Sequence, residues 1–212
     1  MEIKRRIFGA DRPSYHHGRL KDALIDAARE LVAERGPAGF TLAEAAKRVG
    51  VTGAAPYRHF ADRQALMQEL ALRGFALFDE RQRAAWQNGR PDAVTAFRRM
   101  GAAYLAFAKA EPGLYSAMFA TQEAQPAGVS PLANISFDTL HMATTAVLAQ
   151  HGVPAGGAAE LASQVWALSH GIAMLARSGF LDASIQGCDP AFLQERAAAA
   201  LFETAIRRAK GG

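Results

Sequence analysis

Apolar side chains recur along this sequence with the period of an α-helix, and that pattern sets the fold class. In the first periodic stretch they stand at i, i+4, i+7 and i+11, which places them on one helix face. They are Leu20, Leu24, Ala27 and Leu31. Gly and Pro residues separate the periodic stretches, and no segment alternates as a half-buried strand does. We therefore predict an all-α fold of about nine helices.

The N-terminal part contains the start and stop signals of short helices. Thr41 precedes Glu44 by three residues, which is the spacing of a capping box at a helix N-terminus. Gly50 follows about two and a half turns later and predicts the end of that second helix. Thr52 stands where it would cap a third short helix, with Pro56 in or just past the first turn.

A long connecting helix and a larger helical body are predicted to follow. Asp62 is the predicted cap of the long helix, which runs towards Trp86, and the turn sequence of residues 88–91 marks a boundary. The predicted domains are residues 1–62 (a basic arm and a three-helix head), 63–90 (the connecting helix) and 91–212 (the body). The body is expected to hold helices near residues 92–109, 112–120, 131–151, 157–179 and 189–209, with a loop at 121–131.

The excess positive charge lies near the N-terminus. Residues 1–60 hold 11 Lys or Arg and 7 Asp or Glu, whereas residues 61–212 hold 13 of each kind. A basic segment ahead of charge-balanced helices indicates a polyanionic partner. A solvated, frayed terminus has the same composition, so both interpretations remain open.

Cysteine usage favours a reducing compartment, and hydropathy predicts no membrane span. The chain has one cysteine, Cys188, which excludes an internal disulfide, and no CxxC or HExxH pattern of a metal site occurs. No apolar run approaches the ~18 residues of a membrane span, and the basic N-terminus lacks the apolar core of a secretory signal. We expect a cytoplasmic protein with no metal, no cofactor and no membrane contact.

Two short helices joined at Gly50 have the spacing of a helix-turn-helix. Ala46 lies four residues before that glycine, where a small side chain lets the second helix approach, and Val51 is placed to pack beneath the turn. The segment that begins at Thr52 is then on the outside, free to enter a major groove. Helical hairpins with a glycine turn are common, so the spacing alone does not decide the function.

The stretch TLAEAAKRVGVTGAAPYRHFADRQAL, residues 41–66, resembles the DNA-binding region of the tetracycline-repressor (TetR) family of bacterial transcription regulators. The matching positions are Thr41, Ala46, Gly50, Val51, Tyr57, His59, Phe60 and Leu66. The departures from the family pattern are Ala45, Val49, Thr52, Pro56 and Arg63. The resemblance implies phosphate contacts from Thr41, Thr52, Tyr57, His59 and Arg63. It implies base contacts from Ala43, Gly53, Ala54, Tyr57 and Arg58.

The chemistry of these residues agrees with DNA binding. Hydroxyl groups and free backbone N–H groups at a helix start form a natural phosphate site. Arg58 can bind guanine, whereas Ala54 can contact only a thymine methyl group, so DNA shape is expected to carry much of the specificity. Tyr57 also has a packing interpretation. The basic side chains expected to follow the backbone or the minor groove are Lys4, Arg5, Arg6, Arg12, Arg19 and Lys21.

The body has aromatic and methionine residues at helical spacing and no catalytic motif. Ser169 and His170 are adjacent rather than facing, and neither a Gly-x-Ser-x-Gly elbow nor a Gly-rich phosphate loop occurs. We expect no enzymatic activity. The aromatic stripes are typical of a core, and they also fit an apolar ligand pocket. The candidate ligand-binding residues are Phe97, Met100, Tyr104, Phe107, Met118, Phe119, Phe137, His141, Trp166, His170 and Met174.

The segment WALSHG, residues 166–171, resembles the Trp-His-Gly signature of one C-terminal domain type of the same family, and EPGLYSAMF, residues 111–119, agrees with it. The resemblance implies a small, largely apolar effector and a homodimer formed through about 157–179 and 189–209. Ala167 and Gly171 allow close helix approach. The expected stripe on the last helix is Phe192, Ala199, Phe202 and Ile206. Whether Trp166 and His170 line the pocket or pack in the core or interface is left open.

Together these features predict a ligand-responsive transcription regulator, most often a repressor in this family. It would bind a pseudo-palindromic operator as a homodimer and be released by a small molecule. One alternative is an all-helical small-molecule carrier or enzyme whose head does not bind DNA. Another is a nucleoid-type DNA binder without an effector. Salt-sensitive, sequence-selective DNA binding and stabilisation by ligands distinguish these classes.

Overall fold

The computed structural model describes residues 15–120, 131–181 and 188–211, with side chains for residues 19–120, 134–181 and 188–211. Within these ranges the chain forms eight α-helices and no strand, so the predicted all-α class is confirmed. The helices are α1 (Tyr15–Arg35), α2 (Leu42–Val49), α3 (Arg63–Trp86), α4 (Ala93–Ala110), α5 (Pro112–Ala120), α6 (Pro131–Gln150), α7 (Ala158–Arg177) and α8 (Pro190–Ala209). The predicted arm before residue 15 and nearly all of the predicted loop 121–131 lie outside the described residues.

The predicted capping box is present at the start of α2. Thr41 has extended backbone angles, its Oγ1 accepts from the Glu44 N–H at 3.2 Å, and its own N–H donates to the Glu44 carboxylate at 2.9 Å. At the other end Gly50 adopts a left-handed conformation with φ of 77°, which suits a residue without Cβ. Local signals therefore determine both ends of α2.

The predicted third helix is a single 3-10 turn, Ala55–Arg58. Thr52 does not cap it, because Ala54 occupies the position before the turn and provides no side-chain hydrogen bond. The prediction of a Thr52 cap is therefore wrong. Pro56 has no N–H to donate and disfavours the α conformation in the residue before it, so a regular helix does not form here. The ring of Pro56 is buried and holds the turn against the head.

Helix α3 joins the head to the body. Asp62 accepts a hydrogen bond from the Ala65 N–H at 2.8 Å, as its predicted role as cap requires. The first half of α3 buries Leu66 and Leu70 in the head, and the second half buries Phe78 in the body. Helix α3 therefore runs from the head into the body as one continuous helix.

One hydrophobic cluster extends from the head into the body. It includes Leu24 and Leu31 of α1, Leu66 of α3, and Tyr115 and Met118 of α5, all of them almost completely buried. Because interiors are closely packed, helices that share a cluster do not move independently. The head is therefore packed on the body rather than only tethered to it.

Two glycines allow α5 to lie directly on its neighbours. A Cβ on Gly113 would be 2.1 Å from the carbonyl oxygen of Arg29 in α1, and a Cβ on Gly74 would be 2.8 Å from Met118 Cγ. Ion pairs support this contact, since Glu111 lies 3.4 Å from Arg29 and 3.1 Å from Arg81. The start of α5 is thus held against the backbone of α1.

A second cluster, formed by α4, α6, α7, α8 and the end of α3, completes the body. The Phe97 ring of α4 meets the Phe202 ring of α8 edge to face, with centroids 4.9 Å apart, and Val147 and Val165 pack in the same cluster. Among the described residues, no helix has both the length and the apolar character needed to cross a membrane.

The Gly113 contact predicts a specific loss of stability. Gly113→Ala places a methyl group against the Arg29 backbone, so α5 has to shift away from α1. We expect the free energy of unfolding to fall by about 1–3 kcal/mol, the usual cost of overpacking. Urea unfolding followed by circular dichroism measures it. Gly156→Ala is the matched control, because a Cβ at Gly156 meets nothing within 4 Å. Equal stability of the two variants would contradict the packing described.

Candidate functional site

The head has an exposed face with small residues at its centre. A Cβ on Gly53 would lie 4.0 Å from the Ala43 Cβ, so α2 and the segment before the 3-10 turn meet with no larger side chain between them. Thr52 and Ala54 are exposed beside this junction. The result is a shallow surface that a DNA groove can approach closely.

The 3-10 turn presents two large polar side chains beside that surface. Tyr57 is 62% exposed and Arg58 is also exposed, whereas Pro56 and Phe60 are buried beneath them. The exposure of Tyr57 disfavours the packing interpretation. His59, the next residue, is half-buried. The turn therefore has an anchored side and a side that faces away from the head.

Two residues expected to bind phosphate already have partners inside the head. The Thr41 hydroxyl donates to the Glu44 carboxylate at 3.1 Å, in addition to the bond from its backbone N–H. The Arg63 Nη1 donates to the Pro37 carbonyl at 2.5 Å, and its guanidinium carbon lies 5.7 Å from the centre of the Phe40 ring. A phosphate at either residue has to compete with these contacts.

Basic side chains near the face differ in their availability. Arg48 forms two hydrogen bonds to Glu34, at 2.8 and 2.9 Å, so its charge is neutralised locally. These contacts hold the pKa of Glu34 below its usual range, chiefly through the hydrogen bond from Arg48. Lys47 and Arg58 are exposed and form no ion pair with any residue that the structure describes. Lys47 was not among the predicted DNA-binding residues. Its position in the sequence, on α2 between Ala43 and the Gly50 turn, is the feature that could have indicated it.

Two residues predicted for the basic arm, Arg19 and Lys21, lie on helix α1 instead. Lys21 lies on α1 with its Nζ 3.3 Å from Glu69 and 6.0 Å from the centre of the Phe60 ring, so it belongs to the packing of the head. Arg19 is also on α1 and is exposed. The remaining arm residues, Lys4, Arg5, Arg6 and Arg12, lie outside the described residues.

The body encloses a small apolar cavity of about 50 Å³ bordered by α3 to α8. Seven of the candidate ligand-binding residues line it: Phe97, Met100, Tyr104, Met118, Phe119, Phe137 and Trp166. The wall also contains residues that were not predicted from the sequence, among them Phe75, Phe78, Gln82, Tyr115, Ser136 and Gln194. Most of these come from α3 and α8, whose contribution depends on tertiary packing. Trp166, for which pocket and core were both open, lies in the wall.

A cluster of three polar groups lies at this cavity. The Tyr115 hydroxyl is 2.8 Å from His170 Nδ1, the Tyr104 hydroxyl is 3.3 Å from the same nitrogen, and the two hydroxyls are 3.2 Å apart. The Tyr115 and His170 rings are stacked with centroids 5.7 Å apart. Of the two residues in the Trp-His-Gly segment, Trp166 therefore lines the cavity and His170 contacts the hydroxyls of two tyrosines.

Burial disfavours the charged form of each group in this cluster. Desolvation raises the pKa of Tyr104 well above its usual range and that of Tyr115 to about 12. Desolvation also lowers the pKa of His170, because the imidazolium form loses solvation in the body. In the tautomer that carries its proton on Nε2, the neutral imidazole accepts a hydrogen bond at Nδ1 from a tyrosine hydroxyl.

Four candidate ligand-binding residues do not line the cavity. Phe107 is completely buried against Phe78, with ring centroids 5.3 Å apart, and is a core residue. His141 stacks on Phe137, with ring centroids 6.5 Å apart, and His170 contacts the tyrosine hydroxyls. Neither histidine borders the cavity itself. Met174 is 49% exposed. Eight residues along an α-helix rotate a side chain by about 80°, so Met174 does not continue the direction of Trp166.

The apolar stripe predicted on the last helix faces α4. Its four members, Phe192, Ala199, Phe202 and Ile206, all border a groove between α4 and α8. On α7, by contrast, Ala167 is exposed and a Cβ on Gly171 meets nothing within 4 Å. The stripe on α8 therefore borders α4 within the protomer, and its predicted part in a homodimer interface stays a prediction.

The helix-turn-helix head and the helical body define the class of protein. Residues 24–70 match the model of the bacterial regulatory proteins of the tetR family, and residues 97–207 match that of the tetracyclin repressor-like C-terminal domain. The second match alone covers just over half of the chain. The chain belongs to the TetR family of bacterial regulators.

Individual relatives agree with this family. A solved structure of a protein with unknown function from Rhodococcus sp. RHA1 is 30% identical, with a TM-score of 0.76 over 92% of this chain and 98% of that chain. The TetR family transcriptional regulator PfmR from Thermus thermophilus is 14% identical, with a TM-score of 0.65 over 84% and 96%, and is similar in fold. The uncharacterized HTH-type transcriptional regulator YobS of Bacillus subtilis (strain 168) is 32% identical over 101 residues, 47% of this chain. The chain spans about half the length of that curated relative, 51% of it.

The lowered pKa of His170 predicts how stability changes with pH. Below the ordinary histidine pKa of about 6.5 the unfolded chain binds a proton that folded His170 does not, so this residue makes stability fall as pH drops. In urea unfolding at pH 7 and pH 5.5, we expect wild type to lose more unfolding free energy than His170→Asn. The asparagine amide keeps an acceptor for Tyr115 without titrating. An identical loss in both proteins would contradict a desolvated imidazole.

Proposed function

We propose that this chain is a ligand-responsive transcriptional repressor that binds a pseudo-palindromic DNA site as a homodimer and leaves it when a small molecule enters the body. The observation that carries the proposal is the exposed face of the head. There Ala43 and Gly53 form a shallow junction, with Tyr57 and Arg58 exposed beside it. Its residues lie within or next to the segment that matches the family of regulators.

The face has groups suited to both parts of DNA recognition. Exposed Thr52 and Tyr57 carry hydroxyl groups that can donate to phosphate, and Lys47 adds a positive charge beside them. Arg58 is the side chain of this face best suited to a bidentate contact with guanine. Since small residues occupy the centre, the shape of the groove is expected to supply the remaining specificity.

A dimer through α7 and α8 is supported by the surface of α7. Exposed Met174 and Leu175 and the uncovered Gly171 lie along one side of this helix. An apolar strip with a glycine allows a second helix to approach closely, and exposed apolar patches mark interaction sites. The proposed interface comprises residues about 157–179 and 189–209. A two-fold dimer would place the two recognition turns about one DNA turn, ~34 Å, apart.

The body is the proposed effector site, and α5 is the proposed connection to the head. Tyr115 and Met118 border the cavity, while Gly113 at the start of the same helix touches the backbone of α1. A ligand that needs more room than the cavity has moves α5 or α3, and α1 follows because the core is shared. The effector thereby favours a head arrangement that no longer fits the operator.

The alternative is a small-molecule-binding protein or enzyme whose head does not bind DNA. Arg48 and Arg63 of the head, which would otherwise supply positive charge, are bound to Glu34 and to the Pro37 carbonyl. The same DNA-binding experiment separates the two candidates.

Gel-shift titrations with the DNA upstream of the chain's own coding sequence test DNA binding. We expect Tyr57→Ala to weaken binding about tenfold on all sequences, because it removes one hydrogen bond to a charged phosphate. Arg58→Ala is expected to cost about 1–3 kcal/mol and to relax the preference at one base pair. Arg83→Ala is the matched control, since Arg83 is exposed on α3 and pairs with Asp79 at 2.7 Å.

Two further measurements complete this test. Affinity of the wild type is expected to fall steeply as the salt concentration rises. Inserting about five base pairs between the footprinted half-sites turns one half-site to the opposite side of the DNA and should abolish dimer binding. Equal affinities of Tyr57→Ala and Arg83→Ala at physiological salt would contradict the proposed face and favour the second candidate.

A further inference from the structure

A second and larger cavity lies between α4 and α8. It is a groove of about 460 Å³, within the usual range of small-molecule sites. Its floor is apolar and includes Val94 and Phe97 of α4 and Ala198 and Phe202 of α8. Phe97 also borders the inner cavity, so the two spaces are adjacent.

The side chain of Gln194 stands between the groove and the inner cavity. It borders both spaces and is 3% exposed. Its Nε2 donates to the Ser169 hydroxyl at 2.7 Å, but its Oε1 has no hydrogen-bond partner among the residues that the structure describes. Buried polar atoms are nearly always hydrogen-bonded, so this oxygen is suited to accept from a bound molecule.

The side chain of Gln194 packs against α4 at Gly101, which has no side chain of its own. A Cβ on Gly101 would lie 3.4 Å from Gln194 Cγ and 3.5 Å from its Nε2. Gly101 borders both spaces as well. The partition between the groove and the inner cavity is therefore thin and consists of Phe97, Gly101 and Gln194.

The walls indicate the charge of the occupant. Within the part of the chain that the structure describes, the inner cavity has no Asp, Glu, Lys or Arg in its wall. In the groove Arg98 lies 3.5 Å from Glu195, and both are largely exposed at the rim together with Glu203 and His151. A charged ligand in the inner cavity would be buried without a partner, which is strongly unfavourable.

We propose that the groove and the inner cavity are two compartments of one binding site, and that its occupant is an elongated, uncharged, mainly aromatic molecule whose hydrogen-bond donor binds Gln194 Oε1. The occupant's role as effector rests on the proposed function, whereas the binding site itself does not. Binding in both compartments requires the Gln194 side chain to move. The occupant would then contact both α4 and α8.

Three dyes with the same ring system test this site on the full chain. N-phenyl-1-naphthylamine is uncharged and has one N–H donor, its N-methyl derivative lacks the donor, and 8-anilino-1-naphthalenesulfonate carries a negative charge. We expect fluorescence titration to show the tightest binding for N-phenyl-1-naphthylamine. The N-methyl derivative should bind about three- to tenfold more weakly, the usual effect of one hydrogen bond. The sulfonate should bind at least about tenfold more weakly because of its unpaired charge.

Two variants locate the binding. Ala102 is exposed and borders the groove, so Ala102→Phe should fill it and weaken N-phenyl-1-naphthylamine binding at least about tenfold. Ala106→Phe is the matched control on the same helix, exposed and outside both spaces. Gln194→Met should make the affinities for N-phenyl-1-naphthylamine and its N-methyl derivative equal, because the acceptor is gone.

The outcomes separate this inference from the proposed function. Equal dye binding by Ala102→Phe and Ala106→Phe, tightest binding of the sulfonate, or no binding of N-phenyl-1-naphthylamine overturns the site. Dissociation of the dimer by Ala102→Phe, measured by sedimentation, also overturns it, because the groove would then be covered by a second copy. If the dye pattern holds but the chain binds no DNA, the site stands and the proposed function fails.

Discussion

The contact between the first turn of α5 and the backbone of α1 is the constraint on which the two-part structure depends. Gly113 has no side chain at the point where a Cβ would overlap the Arg29 carbonyl, and Glu111 beside it pairs with Arg29 and Arg81. Further along the same helix, Met118 lies against Gly74 of α3 and borders the inner cavity. The head and the body therefore share one closely packed core.

The head and the body combine surfaces of opposite character. The head exposes small residues at its centre with Tyr57 and Arg58 beside them, which suits approach to a charged, grooved partner. The cavity wall is aromatic, and burial disfavours the charged forms of Tyr104, Tyr115 and His170 by shifting their pKa values. The head and the body thus present two separate surfaces that are joined through one core.

Signals that act within a few residues were predictable from the sequence, and contacts between distant elements were not. The Thr41–Glu44 box, the left-handed Gly50 and the Asp62 cap each depend on local hydrogen bonds, and the helix ends agree with them. Periodicity also identified apolar faces, but it did not tell what each face meets. Phe202 packs on α4, and Met174 faces away from the cavity because the helix rotates between successive turns. Gln194 had no signal in the sequence, since its importance comes from burial between two cavities.

The distance between the two heads of the proposed homodimer reports whether a ligand in the body moves the DNA-binding surfaces. Spin labels at Ala38→Cys in a Cys188→Ser background place one probe on the loop between α1 and α2 of each protomer. Pulsed electron paramagnetic resonance then measures their separation in complex with the upstream DNA and after addition of N-phenyl-1-naphthylamine. The account predicts a defined distance on DNA, with the recognition turns about 34 Å apart, and a changed distance when the dye binds and DNA is released. The same distance distribution with and without bound dye would contradict coupling through the shared core.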